Sequence, residues 1–321
     1  MHIGVLGAGA VGGVLAALLD RAGHDVVVTA RGANLEAIRA GGLRLRGHWG
    51  SHIAPVAADT VLPTGLDLAI VTTKAQDSAA ALLANRSALD GIPVLIVQNG
   101  LEGMATAATL LPHSPIAGGL ALFAASYRAP GDVEVTTAAH TYLGGPAAEL
   151  FEQALGTVIP VSVVDNFAGA QWTKLIVNQV NALPAITGLS VQETIAHPAL
   201  RRVLTASMRE AVRVAIGLGV RFEPVQGLTD ARLRLFARLP LWAAQVLPLR
   251  FGRYLGATPN PGSTLQSIRR GQRTEIDYLN GAVVAAGPAP INARLVELVH
   301  AVERTGEFLS PAAVAAAVPV E

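Results

Sequence analysis

Lys174, Asn178 and Asn181 stand at i, i+4 and i+7, a spacing that lines one cation and two amides along a single helical stripe. Their neighbours Leu175, Ile176, Val177 and Val180 are apolar. Burying such a stripe is costly unless something hydrogen-bonds it, which a small polar substrate or a facing domain would do. The lysine itself is unusual. Of the 24 basic residues only Lys74 and Lys174 are lysine, and the rest are arginine. An ammonium can titrate and pass a proton, whereas a guanidinium holds its own.

A second constellation opens the chain. Gly7-Ala8-Gly9-Ala10-Val11-Gly12 follows the apolar run 2–6 and leads into a helical pattern. In that context the first glycine makes a tight turn. The second lets the backbone approach a pyrophosphate, and the third lets helix pack on strand. The pyrophosphate sits at a helix N-terminus, where free N–H groups and the helix dipole favour an anion. A ligand-free turn in a βα unit is the plainer alternative. At the end of the next strand an acidic residue would bind a ribose 2′-hydroxyl, but the chain has Thr29-Ala30-Arg31-Gly32. Arg31 offers a forked cation where a 2′-phosphate would lie, so NADP(H) is favoured over NAD(H). Lys74 ends another strand and would face the same phosphate or the nicotinamide side. Asn99, in Gln98-Asn99-Gly100, ends a further strand, placed to touch the nicotinamide ribose or the substrate.

These residues need particular elements to hold them. Apolar runs at 2–6, 25–29, 68–72 and 93–97 alternate with helical stretches, which implies a parallel sheet covered on both faces. Residues 116–143 carry Gly-Asp and Gly-Gly punctuation and read as antiparallel strands finishing that sheet. From about residue 165 the pattern turns helical, over 168–186, 198–218, 229–239, 264–286 and 293–305, with a tail or surface helix at 312–317. The expected architecture is α/β: an N-terminal Rossmann-type doubly wound sheet over residues 1–166, then an all-helical domain over 167–321. The plainer alternatives for two further polar residues are that Ser263 caps the 264–286 helix and that Glu275 inside it pairs with Arg270 or Arg273.

Composition narrows the function. With 51% hydrophobic and 15% charged residues and a net charge of +1, the chain reads as globular, with neither nucleic acid nor membrane as a main partner. It has no cysteine, which excludes disulfides and thiolate metal sites and fits a cytoplasmic protein. The longest later apolar stretch, 239–249, is too short to span a bilayer. His48 and His52 stand four apart among glycines with no carboxylate nearby in sequence, and read as a solvated loop with no metal.

Taken together the motifs resemble the ketopantoate reductase (2-dehydropantoate 2-reductase) family nearly end to end. The likeness rests on the glycine fingerprint with Arg31, Thr73-Lys74-Ala75-Gln76, Gln98-Asn99-Gly100 and Trp172-Thr173-Lys174-Leu175 with Asn178. It extends to Arg273-Thr-Glu275-Ile-Asp-Tyr-Leu-Asn-Gly281 and Gly306-Glu-Phe-Leu-Ser-Pro311. The resemblance implies NADPH as cofactor, with Lys74 and Gln76 beside it, and Lys174 as general acid. It also implies Asn99, Asn178, Asn181, Ser263 and Glu275 as substrate contacts. The implied reaction is reduction of a 2-oxo acid, 2-dehydropantoate to pantoate, in pantothenate biosynthesis.

Three departures bear on the substrate. Asn178 and Asn181 are three apart where the family commonly has four, followed by Pro184. Ser267 stands where an acid is usual. Residues 221–262 are longer and more apolar than the family leads one to expect, with Trp242 and Tyr254. That segment would pack between the subunits of a homodimer, or else border the cleft and admit a bulkier ketone or imine. A non-catalytic NADP(H)-sensing protein is the alternative of another class, but it would need neither Lys174 nor Glu275.

Overall fold

The computed structural model describes residues 1–254 and 259–320, the side chain of Tyr254 excepted. Tyr254 and residues 255–258 of the apolar segment therefore lie outside the described side chains. The chain divides into two compact units, Met1–Phe167 and Ala168–Glu321.

The first unit holds the strands β1 (His2–Leu6), β2 (Asp25–Thr29), β3 (Leu43–Gly47), β4 (His52–Ala54), β5 (Ala57–Asp59) and β6 (Leu68–Val71). It continues with β7 (Val94–Val97), β8 (Ile116–Ala121), β9 (Ala124–Ala129), β10 (Asp132–Thr137), β11 (Thr141–Gly144) and β12 (Val161–Val163). Eight of them form one sheet in the order β5-β2-β1-β6-β7-β8-β11-β12. From β5 to β8 every neighbour is parallel, and β11 reverses against β8. β6 and β7 are buried along their whole length, which is why their sequences run apolar without alternation.

A second sheet, β4-β3-β10-β9, was not foreseen. Residues 116–143 do not all finish the main sheet: β8 and β11 do, while β9 and β10 leave it. The cause is one-sided patterning. In β10 Val133 and Val135 are buried and Glu134 is not; in β3 Leu43 and Leu45 are buried between exposed Arg44 and Arg46. These apolar faces close over the Ala10–Arg21 helix, adding to a core with Val14, Leu15 and Leu18. His52 is likewise no loop residue. It lies on β4 opposite Leu45, and its Nε2 sits 2.6 Å from the Asp20 carboxylate.

The second unit is helical, and two expected helices are broken. Residues 168–186 divide into Phe167–Asn178, a 3-10 turn Gln179–Asn181 and a helix Ala182–Thr187. Pro184 has no N–H to donate to the carbonyl four residues back, so the α-helical ladder lapses there. Residues 264–286 divide into Gly262–Arg269, a 3-10 turn Ile276–Tyr278 and Asn280–Ala286. Gly271 at φ +64 ends the first piece, and Gln272 N–H turns back to the Ser267 carbonyl at 2.9 Å. The long helices Pro198–Gly217 and Pro290–Thr305 pack together. Glu210 on the first accepts from the Ile291 and Asn292 amides of the second, each at 2.9 Å.

Candidate active site

The parallel order β2-β1-β6-β7 brings the carboxyl ends of four strands side by side, where open α/β sheets bind their ligands. Gly7, at φ +108, turns the chain after β1. Its N–H donates to the Thr29 hydroxyl at 2.9 Å and its carbonyl accepts from the Thr72 hydroxyl at 2.7 Å. A Cβ on Gly12 would stand 2.0 Å from that same carbonyl and 2.2 Å from the Thr72 hydroxyl, so only glycine lets the helix approach. A Cβ on Gly9 would meet nothing within 4 Å: it faces open space. Gly9 is also the N-cap of the Ala10–Arg21 helix, with no side-chain cap and no acidic residue in the first turn. This cradle fits an anionic pyrophosphate.

Arg31 is exposed and is the N-cap of the Gly32–Gly41 helix beyond β2. The acid at this corner, Asp59 at the end of β5, is drawn off by Arg39 at 3.2 Å and by the Thr60 amide at 2.7 Å. Lys74 is the N-cap of the Ala75–Ala84 helix after β6, with Gln76 in its first turn. Asn99 follows β7 and is half-buried. Next to it the Gln98 amide donates to the Thr73 carbonyl at 2.8 Å, which ties the loops after β6 and β7 together.

In the helical unit Lys174 lies on Phe167–Asn178, and burial pushes its ammonium down to about 8, with the Glu275 carboxylate pulling it partly back up. Glu275 is the N-cap of the 3-10 turn Ile276–Tyr278, so a turn presents it rather than the helix expected from spacing. Asn178 is half-buried at the end of its helix. Asn181 is buried and locally engaged: its amide nitrogen donates to the Asn178 carbonyl at 3.1 Å, and its oxygen accepts from the Ser263 N–H at 3.3 Å. Ser263 is not an N-cap. Pro261 holds that place, and Ser263 is exposed in the first turn of Gly262–Arg269.

Sequence reasoning missed several supporting residues. Asn34, one turn past Arg31, donates to the Ala8 carbonyl at 2.9 Å and accepts from Gly131 N–H at 2.8 Å. His300 and Glu303 bracket the Glu275 turn from 25 residues away. The i, i+3 spacing of that pair was the only local signal. Among the described residues no group of three or more His, Asp or Glu could hold a metal ion.

Comparison with known proteins agrees with this layout. The family described as "Ketopantoate reductase PanE/ApbA" matches residues 3–147, and its C-terminal counterpart matches residues 166–303. A 2-dehydropantoate 2-reductase of Pyrobaculum aerophilum is 30% identical, covering 93% of this chain and 97% of its own. One from Archaeoglobus fulgidus is 27% identical, covering 94% and 98%. Among solved structures, a PanE/ApbA family ketopantoate reductase from Ralstonia eutropha JMP134 superposes with TM-score 0.81 at 30% identity, covering 95% of this chain and 99% of its own. D-mandelate dehydrogenase, solved with NADH and anilino(oxo)acetate, shares the fold at TM-score 0.79 and 20% identity. A sheet edge with the glycine cradle, a helical unit with Lys174 and Glu275, and a match along both units lead to one assignment: the chain belongs to the ketopantoate reductase family of oxidoreductases.

Proposed function

We propose that this enzyme reduces 2-dehydropantoate to pantoate with NADPH, a cytoplasmic step of pantothenate biosynthesis. The observation that carries the reading is Lys174, a half-buried residue whose ammonium is pushed down to about 8 by desolvation, with the Glu275 carboxylate acting on it. At neutral pH it is still mostly protonated, yet it gives up its proton far more readily than a lysine in water near 10.4.

The cofactor assignment rests on the open cradle at Gly9, the uncapped helix N-terminus and the exposed cation Arg31, with Asp59 paired to Arg39. Lys74, Gln76 and Asn99 would line the rest of the cofactor at the ends of β6 and β7. When bound, NADPH supplies the hydride that reaches the carbonyl carbon. Lys174 Nζ donates a hydrogen bond to the carbonyl oxygen and passes it a proton as the alcohol forms. Glu275, Asn178 and Ser263 hold the substrate's hydroxyl and carboxylate ends, and Asn181 fixes the Ser263 backbone. Nicotinamide absorbance with a panel of 2-oxo acids tests the reading. Turnover of 2-dehydropantoate with NADPH well above bulkier acids supports it, and a preference for bulkier acids or imines would overturn the substrate.

The same test bears on residues 221–262. Trp242, Val246 and Leu249 are spaced i, i+4, i+7 and are 78%, 53% and 40% exposed. We assign this apolar stripe to a homodimer interface, where burial of large apolar and aromatic groups is the rule. Light scattering of Trp242→Ser checks it: a shift from dimer to monomer is expected, and an unchanged mass rejects it. No helix among the described residues is long and apolar enough to cross a membrane.

A further inference from the structure

The turn that carries Glu275 is gripped at both ends by one helix. At its start, Thr274 N–H donates to Glu303 Oε1 at 2.8 Å. At its end, Asp277 Oδ1 lies 2.9 Å from His300 Nε2. The grip closes because His300 Nδ1 lies 2.6 Å from Glu303 Oε2. Both carboxylates face ring nitrogens, and an imidazole can donate from both nitrogens only as the imidazolium. Within the loop so formed, Ile276 is fully buried and its N–H reaches the Thr274 hydroxyl at 3.3 Å. Glu275 therefore sits on a backbone fixed before, after and beneath it.

We propose that His300 is a positioning residue: its imidazolium locks Asp277 to Glu303, and this clamp holds the Thr274–Asp277 turn so that Glu275 is presented to the substrate beside Lys174. The inference rests on the reading that Glu275 contacts substrate. The hydrogen bonds of the His300 ring go to Asp277 and Glu303, and it acts through Glu275.

The charges around the clamp allow it to respond to pH. Burial alone would lower the pKa of His300, but the hydrogen bonds and charges of Glu303 and Asp277 outweigh it and raise it above the ordinary value. Glu303 is pushed up by burial and pulled below its ordinary value by His300 and Thr274. Among the described residues no other carboxylate pairs with the ring. Of the elements packed on Pro290–Thr305, the helices Ala182–Thr187 and Asn280–Ala286 carry no charged residue. On Pro198–Gly217, Glu210 serves the Ile291 and Asn292 amides. Arg201, Arg202, Arg209 and Arg213 bind Gln245 or backbone carbonyls. On its own helix Arg294 pairs with Glu297, and Arg304 is exposed one turn on. When pH rises through the raised value of His300, one nitrogen loses its proton, a lone pair meets a carboxylate, and the clamp loosens.

Steady-state kinetics with NADPH and 2-dehydropantoate, from about pH 6 to about pH 9, test this with His300→Ala, His300→Arg and Glu275→Gln. His300→Ala should raise KM for the oxo acid about tenfold with a smaller change in kcat and an unchanged Kd for NADPH. His300→Arg keeps a permanent forked cation, so it should restore KM at neutral pH and abolish its rise at alkaline pH. A His300→Ala enzyme with KM within about twofold of the parent and the same pH profile would overturn the clamp. If Glu275→Gln is strongly impaired in that case, the Glu275 reading survives alone. If Glu275→Gln is itself unimpaired, both fall. Should His300→Ala fail to fold, Glu303→Gln replaces it, with the same expected KM rise and the same overturning result.

Discussion

The side-chain amide of Asn34 donates to the Ala8 carbonyl at 2.9 Å, joining the glycine loop to the helix that begins beside Arg31. Its oxygen is already occupied by Gly131 N–H and the Tyr127 hydroxyl, at 2.8 and 3.2 Å. The two groups assigned to the two ends of the cofactor's phosphates are thus held in one frame. Asn34→Asp removes the donor and sets a carboxylate against a carbonyl. NADPH affinity should fall on the order of tenfold, read by nicotinamide fluorescence. An unchanged Kd would show that the loop keeps its shape without this bond.

Arg31→Ala separates the two cofactors. Arg31 is exposed, and no described carboxylate is paired with it. Its loss should raise KM for NADPH by roughly tenfold to a hundredfold and leave KM for NADH nearly unchanged. Equal effects on both would remove Arg31 from the phosphate.

Lys174 carries opposite demands of chemistry and stability. In its proposed role of general acid it must be protonated, so kcat should fall as pH rises through about 8. Lys174→Ala should cost roughly 10²–10⁴-fold in turnover with NADPH affinity kept. The stability sign is the reverse. The folded-state value is below the unfolded value of 10.5, so burying the ammonium costs stability below about 8, and the cost fades as pH rises from there toward 10.5. Lys174→Met should therefore be inactive and melt a few degrees higher at neutral pH, because it removes the desolvation cost that lowers the ammonium's pKa. A lower Tm would mean that the ammonium is stabilised by partners it cannot lose.

The parts of this enzyme written in local pattern were legible. β6 and β7 are short apolar runs buried on both faces, β1 and β2 are largely so, and the turn after β1 announces itself in glycine. The 43–47 strand alternates Leu43, Arg44, Leu45 and Arg46, a half-buried pattern that could have been read, but its parallel partner β10 lies far along the chain. Pairing at that distance leaves no local trace. Helical spacing overran Gly271 because apolar residues on both sides keep a similar period, and only the positive φ ends the helix. Lys174 and Glu275 stood out by residue type and by family likeness. His300, Glu303 and Asn34 did not, since each acts through hydrogen bonds to backbone or side chains remote in sequence.

The second and third glycines of the Gly7–Gly12 motif carry different kinds of information. Gly12 is enforced by the protein's own carbonyl and hydroxyl, so it would be required even in a descendant that had abandoned its cofactor. Gly9 is enforced by nothing among the described residues. In a selection for soluble expression alone, position 12 should stay glycine while position 9 drifts to alanine or serine. Requiring catalysis as well should freeze both. On the proposed cofactor reading, Gly9 is the one of the two that would report whether a chain of this fold still binds a dinucleotide, and Gly12 only that it folds.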